Sequence, residues 1–178
     1  MVDLGCGTGV LSLVMSENGG FNGQIYSIDS QERCIQSTEM NSQIFGLADR
    51  QHAIQLDIVD FYHMDDSTQD SVERTAFYKN TADELGIPFT VDLIICNPPW
   101  IPAKFVQETN PLDNGVYDPE EKFLKSALNF AKVHLDKNTG EMLLIHSDLA
   151  YQLGLQESTR VGDLATQYGL RAELIDKT

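Results

Sequence analysis

Val2-Asp3-Leu4-Gly5-Cys6-Gly7-Thr8-Gly9 opens the chain with a short run that breaks into three alternating glycines. A strand that turns through glycines into a helix is the first unit of a parallel α/β sheet, and the rest of the chain continues in that rhythm. Further strands are expected at Gln24 to Asp29, Ala53 to Asp57, Val91 to Cys96 and Met142 to His146, with a weaker one at Leu170 to Ile175. Helix-length amphipathic stretches fill the gaps. Gln31 to Phe45 is one, stopped by Gly46. Asp118-Pro119-Glu120-Glu121 has a capping acid, proline at the first helical position and acids in the first turn. It should start a second helix, running to about Leu135, with Phe123, Leu124, Ala127, Leu128, Ala131 and Leu135 on one face. The expected fold is α/β, a doubly wound, mostly parallel sheet.

The sequence has 178 residues, 42% of them hydrophobic and 22% charged, which suffices for one domain with a real core and excludes disordered or fibrous classes. No apolar run approaches the roughly 18 residues of a membrane span, and the first residues lack the basic and apolar regions of a secretory leader. Cys6, Cys34 and Cys96 form no close pair, so a reducing compartment, the cytoplasm, is expected. Twelve Lys and Arg against 27 Asp and Glu give a formal charge of -15, the reverse of a phosphate-binding footprint. Free nucleic acid is therefore a poor partner for this chain alone, unless a basic partner supplies the attraction. Asp60 to Thr90 is long for a connection in such a fold and carries seven acids against Arg74 and Lys79. It reads as an acidic insert, a surface elaboration or a substrate lid, with one helix near Asp70 to Leu85.

Spacing separates the cofactors that a glycine turn could serve. The dinucleotide pattern G-x-G-x-x-G started at Gly5 needs glycine at position 10, where Val10 stands. Asp3 beside the turn would also repel a pyrophosphate. Twenty residues past Gly9, Asp29 ends the second strand, where a carboxylate can accept hydrogen bonds from both hydroxyls of a ribose or simply cap the next helix. Asp92-Leu93-Ile94-Ile95-Cys96-Asn97-Pro98-Pro99-Trp100 then places an amide, two prolines and an aromatic ring after a buried strand. The prolines fix the backbone so that the Asn97 side chain and the Pro98 carbonyl can act as paired acceptors, while Trp100 offers a stacking face. That set suits a planar NH2 group.

In this order and spacing, the glycine turn, Asp29 and the Asn-Pro-Pro-aromatic run resemble class I S-adenosylmethionine-dependent methyltransferases of the nitrogen-methylating type. Members act on glutamine amides of translation release factors or on exocyclic amines of adenine and guanine. The resemblance covers nearly the whole chain apart from the Asp60 to Thr90 insert, and Trp100 replaces the commoner Tyr or Phe. It implies that Gly5, Gly7 and Gly9 lie under the methionine part of S-adenosyl-L-methionine, with Asp3 near its amino end. Asp29 would hold the ribose, with Asp57 and Ile58 at the adenine. Asn97, Pro98 and Trp100 would carry catalysis, and Asn97, Pro99 and Trp100 the substrate. A release-factor-like protein or a nucleic acid would be the substrate, with a partner subunit or recognition domain alongside. Truncation at both ends is also implied: the first strand begins almost at Met1, and no sequence is left for a seventh.

Other chemistries fall away on the residues themselves. His52, His63, His134 and His146 are scattered, and His63 with Asp65 and Asp66 lacks metal-ligand spacing. Cys6 and Cys96 have no basic neighbour in sequence, and no nucleophile elbow surrounds Ser147-Asp148. A cofactor-binding scaffold without catalysis and a nicotinamide dehydrogenase stay as competing expectations.

Overall fold

The computed structural model describes residues 1–62, 71–102, 115–155 and 161–175. Five parallel strands, β1 (Val2–Leu4), β2 (Ile25–Asp29), β3 (Gln51–Gln55), β4 (Leu93–Cys96) and β5 (Glu141–Leu144), form one sheet in the order β3-β2-β1-β4-β5. The chain winds outward from β1 in both directions. The β1/β4 boundary is thus the point where strand order reverses, and in open α/β sheets ligands bind there, beyond the carboxyl ends of the strands.

Right-handed crossovers set which helix covers which face. The described helices are α1 (Val10–Glu17), α2 (Glu32–Ile44), α3 (Ile58–Tyr62), α4 (Ser71–Leu85), α5 (Lys122–His134), α6 (Leu149–Gln152) and α7 (Val161–Gln167). Met1, Ile25 and Ile95 meet Leu11 and Met15 of α1 on one face. On the other, Val2, Leu4, Ile28, Ile94 and Cys96 pack against Tyr62, Tyr78, Ala127, Phe130 and Ala131. The expected stripe of α5 divides: Ala127, Ala131 and Leu135 join this main core, while Leu124 and Leu128 turn to Leu164 and Ala165 of α7.

The segment expected to be an insert is anchored in the core. Its helix α4 matches expectation in position, yet Tyr78 and Ala82 are fully buried, and the Tyr78 ring stacks on Tyr62 at 4.9 Å. The Tyr62 hydroxyl hydrogen-bonds His134 Nε2 at 2.7 Å, and His134 Nδ1 meets the Phe89 carbonyl at 2.8 Å. Asn129 Nδ2 donates to the Tyr62 carbonyl and the Tyr78 hydroxyl. Burial holds His134 neutral, pushing its pKa down to about 4.

Four expectations change. The fifth strand, expected to run to His146, ends at Leu144. The third strand lies at Gln51–Gln55, two residues earlier than read, because Leu56 and Asp57 already turn into α3. The expected sixth strand at Leu170 to Ile175 does not form. The segment pairs with no described strand, and Leu174 and Ile175 are 76% and 82% exposed. The helix expected from Pro119 begins as a 3-10 turn, Pro119–Glu121, since Glu120 and Glu121 take left-handed φ values of 61° and 59°. Regular α-helix starts at Lys122, and the Asp118 carboxylate skips the turn to accept from the Phe123 and Leu124 N–H groups at 2.8 and 2.9 Å.

A left-handed conformation costs a non-glycine residue roughly 1–2 kcal/mol, and Glu120 is exposed at that turn. Glu120→Gly should therefore raise stability by about 1 kcal/mol, measured by urea unfolding. A loss of similar size, as glycine causes in an ordinary helix, would show that the turn is not left-handed in solution.

Candidate functional site

Strand register builds the site. Leu4 pairs with Ile28 on one side and Cys96 on the other, so the next residues, Asp29, Gly5 and Asn97, lie side by side at the carboxyl ends of β2, β1 and β4. At about 4.8 Å per strand, Asp29 and Asn97 stand roughly 10 Å apart across Gly5.

The turn between β1 and α1 is fixed on every side. Gly5 and Cys6 N–H both donate to the Ile28 carbonyl, and Asp29 Oδ2 accepts from Gly7 N–H at 3.0 Å. From α2, Thr38 Oγ1 donates to the Gly7 carbonyl and Asn41 Nδ2 to the Thr8 carbonyl. All three glycines have positive φ. A Cβ on Gly5 would stand 3.0 Å from the Phe123 ring, and one on Gly9 would stand 3.1 Å from Thr38. Above Gly7 nothing lies within 4 Å. The loop is therefore tight beneath and open on top, the shape of a cradle.

Asp29 does two things at once. Its Oδ1 also accepts from Gln31 N–H at 2.9 Å, capping the entrance to α2 as the plainer sequence reading had it, while each oxygen retains a second lone pair. Asp3 is fully buried below the loop. Ser12 Oγ donates to its Oδ2 at 2.6 Å, Ser12 contacts Ser27 Oγ, and Gln51 Nε2 donates to Ser27, forming a buried polar chain across three strands. Asp3 Oδ1 meets no partner among the described residues. Desolvation raises its pKa to about 6.

The structure distributes the remaining candidates unevenly. Asp57 is exposed, and its Oδ1 accepts from Val59 N–H, so it caps α3. The Ile58 side chain is 2% exposed in the core, leaving only its backbone near the strand end. Asn97 is exposed, Pro98 is buried, and Pro99 and Trp100 are half-buried. Cys6 and Cys96 are buried thiols whose pKa values burial drives upward, so they offer no thiolate. His63, Asp65 and Asp66 lie outside the described residues. Sequence reasoning missed Thr38, Asn41 and Gln51, which position the loop, and set aside His146, which with Glu121 lines a crevice beside Trp100.

A family model described as a methyltransferase domain matches residues 1–159. The chain belongs to the methyltransferase domain family. It resembles the family's solved folds at low identity. TrmN from Thermus thermophilus aligns with 94% of this chain and 35% of its own at 16% identity and a TM-score of 0.53. The ribosomal protein L11 methylase of Lactobacillus delbrueckii subsp. bulgaricus aligns with 94% and 58% at 12% identity and 0.52. Among curated proteins, a probable cobalt-precorrin-6B C(15)-methyltransferase (decarboxylating) of Pyrobaculum calidifontis is 38% identical over 50 residues, 28% of this chain and 26% of that protein. The match thus spans about a quarter of that relative's length. Among the described residues no helix is long and apolar enough to cross a membrane.

The methyl donor implied by the family is S-adenosylmethionine, and the residues present fit it. An orphaned buried carboxylate oxygen, a cradle open above Gly7, and a carboxylate, Asp29, at the end of the neighbouring strand suit a phosphate-free ligand that is cationic at sulfur.

The buried charge of Asp3 yields a pH test. Its folded pKa, about 6, lies above the unfolded value of 3.8, so the stability linked to its protonated form is full below 3.8 and lost as pH rises through 6. Asp3→Asn, which removes the charge, should gain on the parent by on the order of 3 kcal/mol at pH 8, and that gain should vanish near pH 4. Urea unfolding across this range reads the difference, and a difference independent of pH would mean that Asp3 is not desolvated.

Proposed function

We propose that this protein transfers a methyl group from S-adenosyl-L-methionine to a planar nitrogen, with a glutamine side-chain amide of a protein as acceptor. The observation that carries this reading is the register that sets exposed Asn97, followed by Pro98-Pro99-Trp100, one strand from the glycine cradle and two from Asp29. The acidic balance of the chain favours a polypeptide over the exocyclic amine of a nucleic-acid base, the second acceptor of this chemical type. TrmN, the L11 methylase and the cobalt-precorrin enzyme resemble this chain in the fold or over a short stretch alone, so their substrates do not bear on its acceptor.

Each residue has a defined part. Asp29 accepts from the ribose hydroxyls with the lone pairs its backbone bonds leave over. Gly7 lets the methionine portion lie against the loop, and Asp3 supplies a buried negative charge beneath it. Asp57 and the Ile58 backbone border the adenine. The cofactor supplies an electrophilic methyl group on a sulfonium. Asn97 Oδ1 and the Pro98 carbonyl accept the two N–H bonds of the acceptor amide, Pro99 holds the turn, and Trp100 stacks on the amide plane. An amide nitrogen lone pair is delocalised, so these contacts work by aiming it at the methyl carbon and by favouring a more tetrahedral nitrogen. The N–C bond forms as the S–C bond breaks, its electrons pass to sulfur, and the acidified nitrogen loses its proton to water.

Asn97→Ala should leave S-adenosylmethionine affinity nearly unchanged and lower kcat by roughly a hundredfold, the scale of a preorganised hydrogen bond used in the transition state. Trp100→Ala should also raise KM, with Trp100→Tyr recovering part of the loss. Mass spectrometry of the product should place the methyl on nitrogen. A methyl found on carbon or oxygen, or an Asn97→Ala variant as fast as the parent, would overturn the assignment.

A further inference from the structure

The turn from Gly5 to Gly9 commits its backbone N–H groups to the fold with one exception. Gly5 and Cys6 donate to the Ile28 carbonyl, Gly7 to Asp29 Oδ2 and Gly9 to the Cys6 carbonyl. Thr8 N–H meets no acceptor among the described residues, and Thr8 is exposed. The turn thus keeps one donor for a ligand.

The direction of that donor is set from α2. In a trans peptide the carbonyl of one residue and the N–H of the next point opposite ways, and the described residues contain no cis bond. Thr38 Oγ1 donates to the Gly7 carbonyl at 3.2 Å, so Thr8 N–H faces away from α2. A helical threonine commonly turns its hydroxyl to the carbonyl one turn back in its own helix, whereas Thr38 reaches a carbonyl 31 residues away. A carbonyl can only accept, so the one hydroxyl proton goes to Gly7, and the Cys6 thiol, 3.5 Å from Oγ1, is the donor in that second contact. Thr38 is 1% exposed, and its Cγ2 and Oγ1 would stand 3.1 and 3.2 Å from a Cβ on Gly9, so packing fixes where the hydroxyl lies. Asn41 Nδ2 donates to the Thr8 carbonyl at 2.9 Å and holds the following peptide.

S-adenosylmethionine brings a carboxylate to the turn with its methionine part. Asp29 lies near enough to Asp3 to help raise its pKa, so the turn is a negative neighbourhood. A ligand carboxylate there needs an N–H donor to offset the repulsion. We propose that Thr38 is a positioning residue for the carboxylate of the cofactor's methionine part, holding the Gly7–Thr8 peptide so that Thr8 N–H donates to that carboxylate. The inference rests on S-adenosylmethionine as the cofactor and deepens that reading, because a residue outside the glycine turn then sets the affinity for one end of the ligand.

Decarboxylated S-adenosylmethionine is the probe, since it keeps the adenosine, the sulfonium and the amine and lacks only the carboxylate. In isothermal titration the parent should bind S-adenosylmethionine roughly tenfold more tightly than the probe, the scale of one hydrogen bond to a charged group. Thr38→Val keeps the shape and removes the hydroxyl. It should weaken S-adenosylmethionine roughly tenfold and leave the probe's affinity unchanged, and Thr38→Ser should restore the preference. Asn41→Ala, at a half-buried side chain, should reduce the preference roughly threefold, and it decides the matter if Thr38→Val does not fold. A parent with equal affinity for the two ligands, a Thr38→Val protein that loses affinity for both alike, or an Asn41→Ala protein with the full preference would each overturn the inference. A parent that binds neither ligand would instead overturn the cofactor reading, so the two failures are distinguishable.

Discussion

The carboxylate of Asp29 accepts one hydrogen bond from Gly7 N–H and one from Gln31 N–H, and the site depends on that pair. It joins the turn after β1 to the start of α2, and Thr38 and Asn41 of α2 then grip the same turn from the side. With the loop pinned, α1 leaves it at Gly9 in a left-handed conformation, where a Cβ would crowd Thr38 at 3.1 Å. Charge-assisted bonds to backbone N–H groups are the stronger kind, and here they hold a carboxylate in place before any ligand arrives. Preorganisation of this sort lowers the ordering cost of binding.

Below the loop the molecule tolerates a feature that stability alone disfavours. Asp3 is buried with one oxygen unpartnered, and the Ser12, Ser27 and Gln51 chain satisfies only its other oxygen. An ionised carboxylate in that position is costly to fold and useful to a cation. On the acceptor side the pattern repeats, with two left-handed glutamates at the turn into α5 turning Glu121 inward. The two regions touch: the Asp118 cap fixes Phe123, whose ring lies beneath Gly5. The unpartnered Asp3 oxygen and the left-handed turn before Phe123 thus both lie close to Gly5, at the end of β1 where strand order reverses.

How much of this was legible depended on distance along the chain. β1, β2 and the glycine turn could be read because apolar runs, glycines and Asp29 sit within one another's reach. β3 starts two residues before its apolar stretch because Gln51 and His52 look like loop residues; Gln51 is buried in register with Ile25 and bonds Ser27 on the neighbouring strand. Asp118 was rightly a cap, yet the left-handed turn that delays the helix has no sequence signal, since glutamate seldom adopts it. Leu170 to Ile175 alternates apolar and polar residues as a strand would, yet it pairs with no described strand. Asn97 stood out through its prolines, whereas His146 looked like one scattered histidine. Its meeting with Trp100 and Glu121 is made by β4, α5 and β5 together, and no local pattern announces such a meeting.

The account stands on a cradle built for a phosphate-free, cationic nucleoside, and isothermal titration of the protein with S-adenosylmethionine and with NAD, side by side, tests it most directly. S-adenosylmethionine should bind at one site, NAD should give no binding heat, and Asp29→Ala should cost roughly 1.5–3 kcal/mol of the former. Binding of NAD in preference to S-adenosylmethionine, or an Asp29→Ala variant with unchanged affinity, would contradict it.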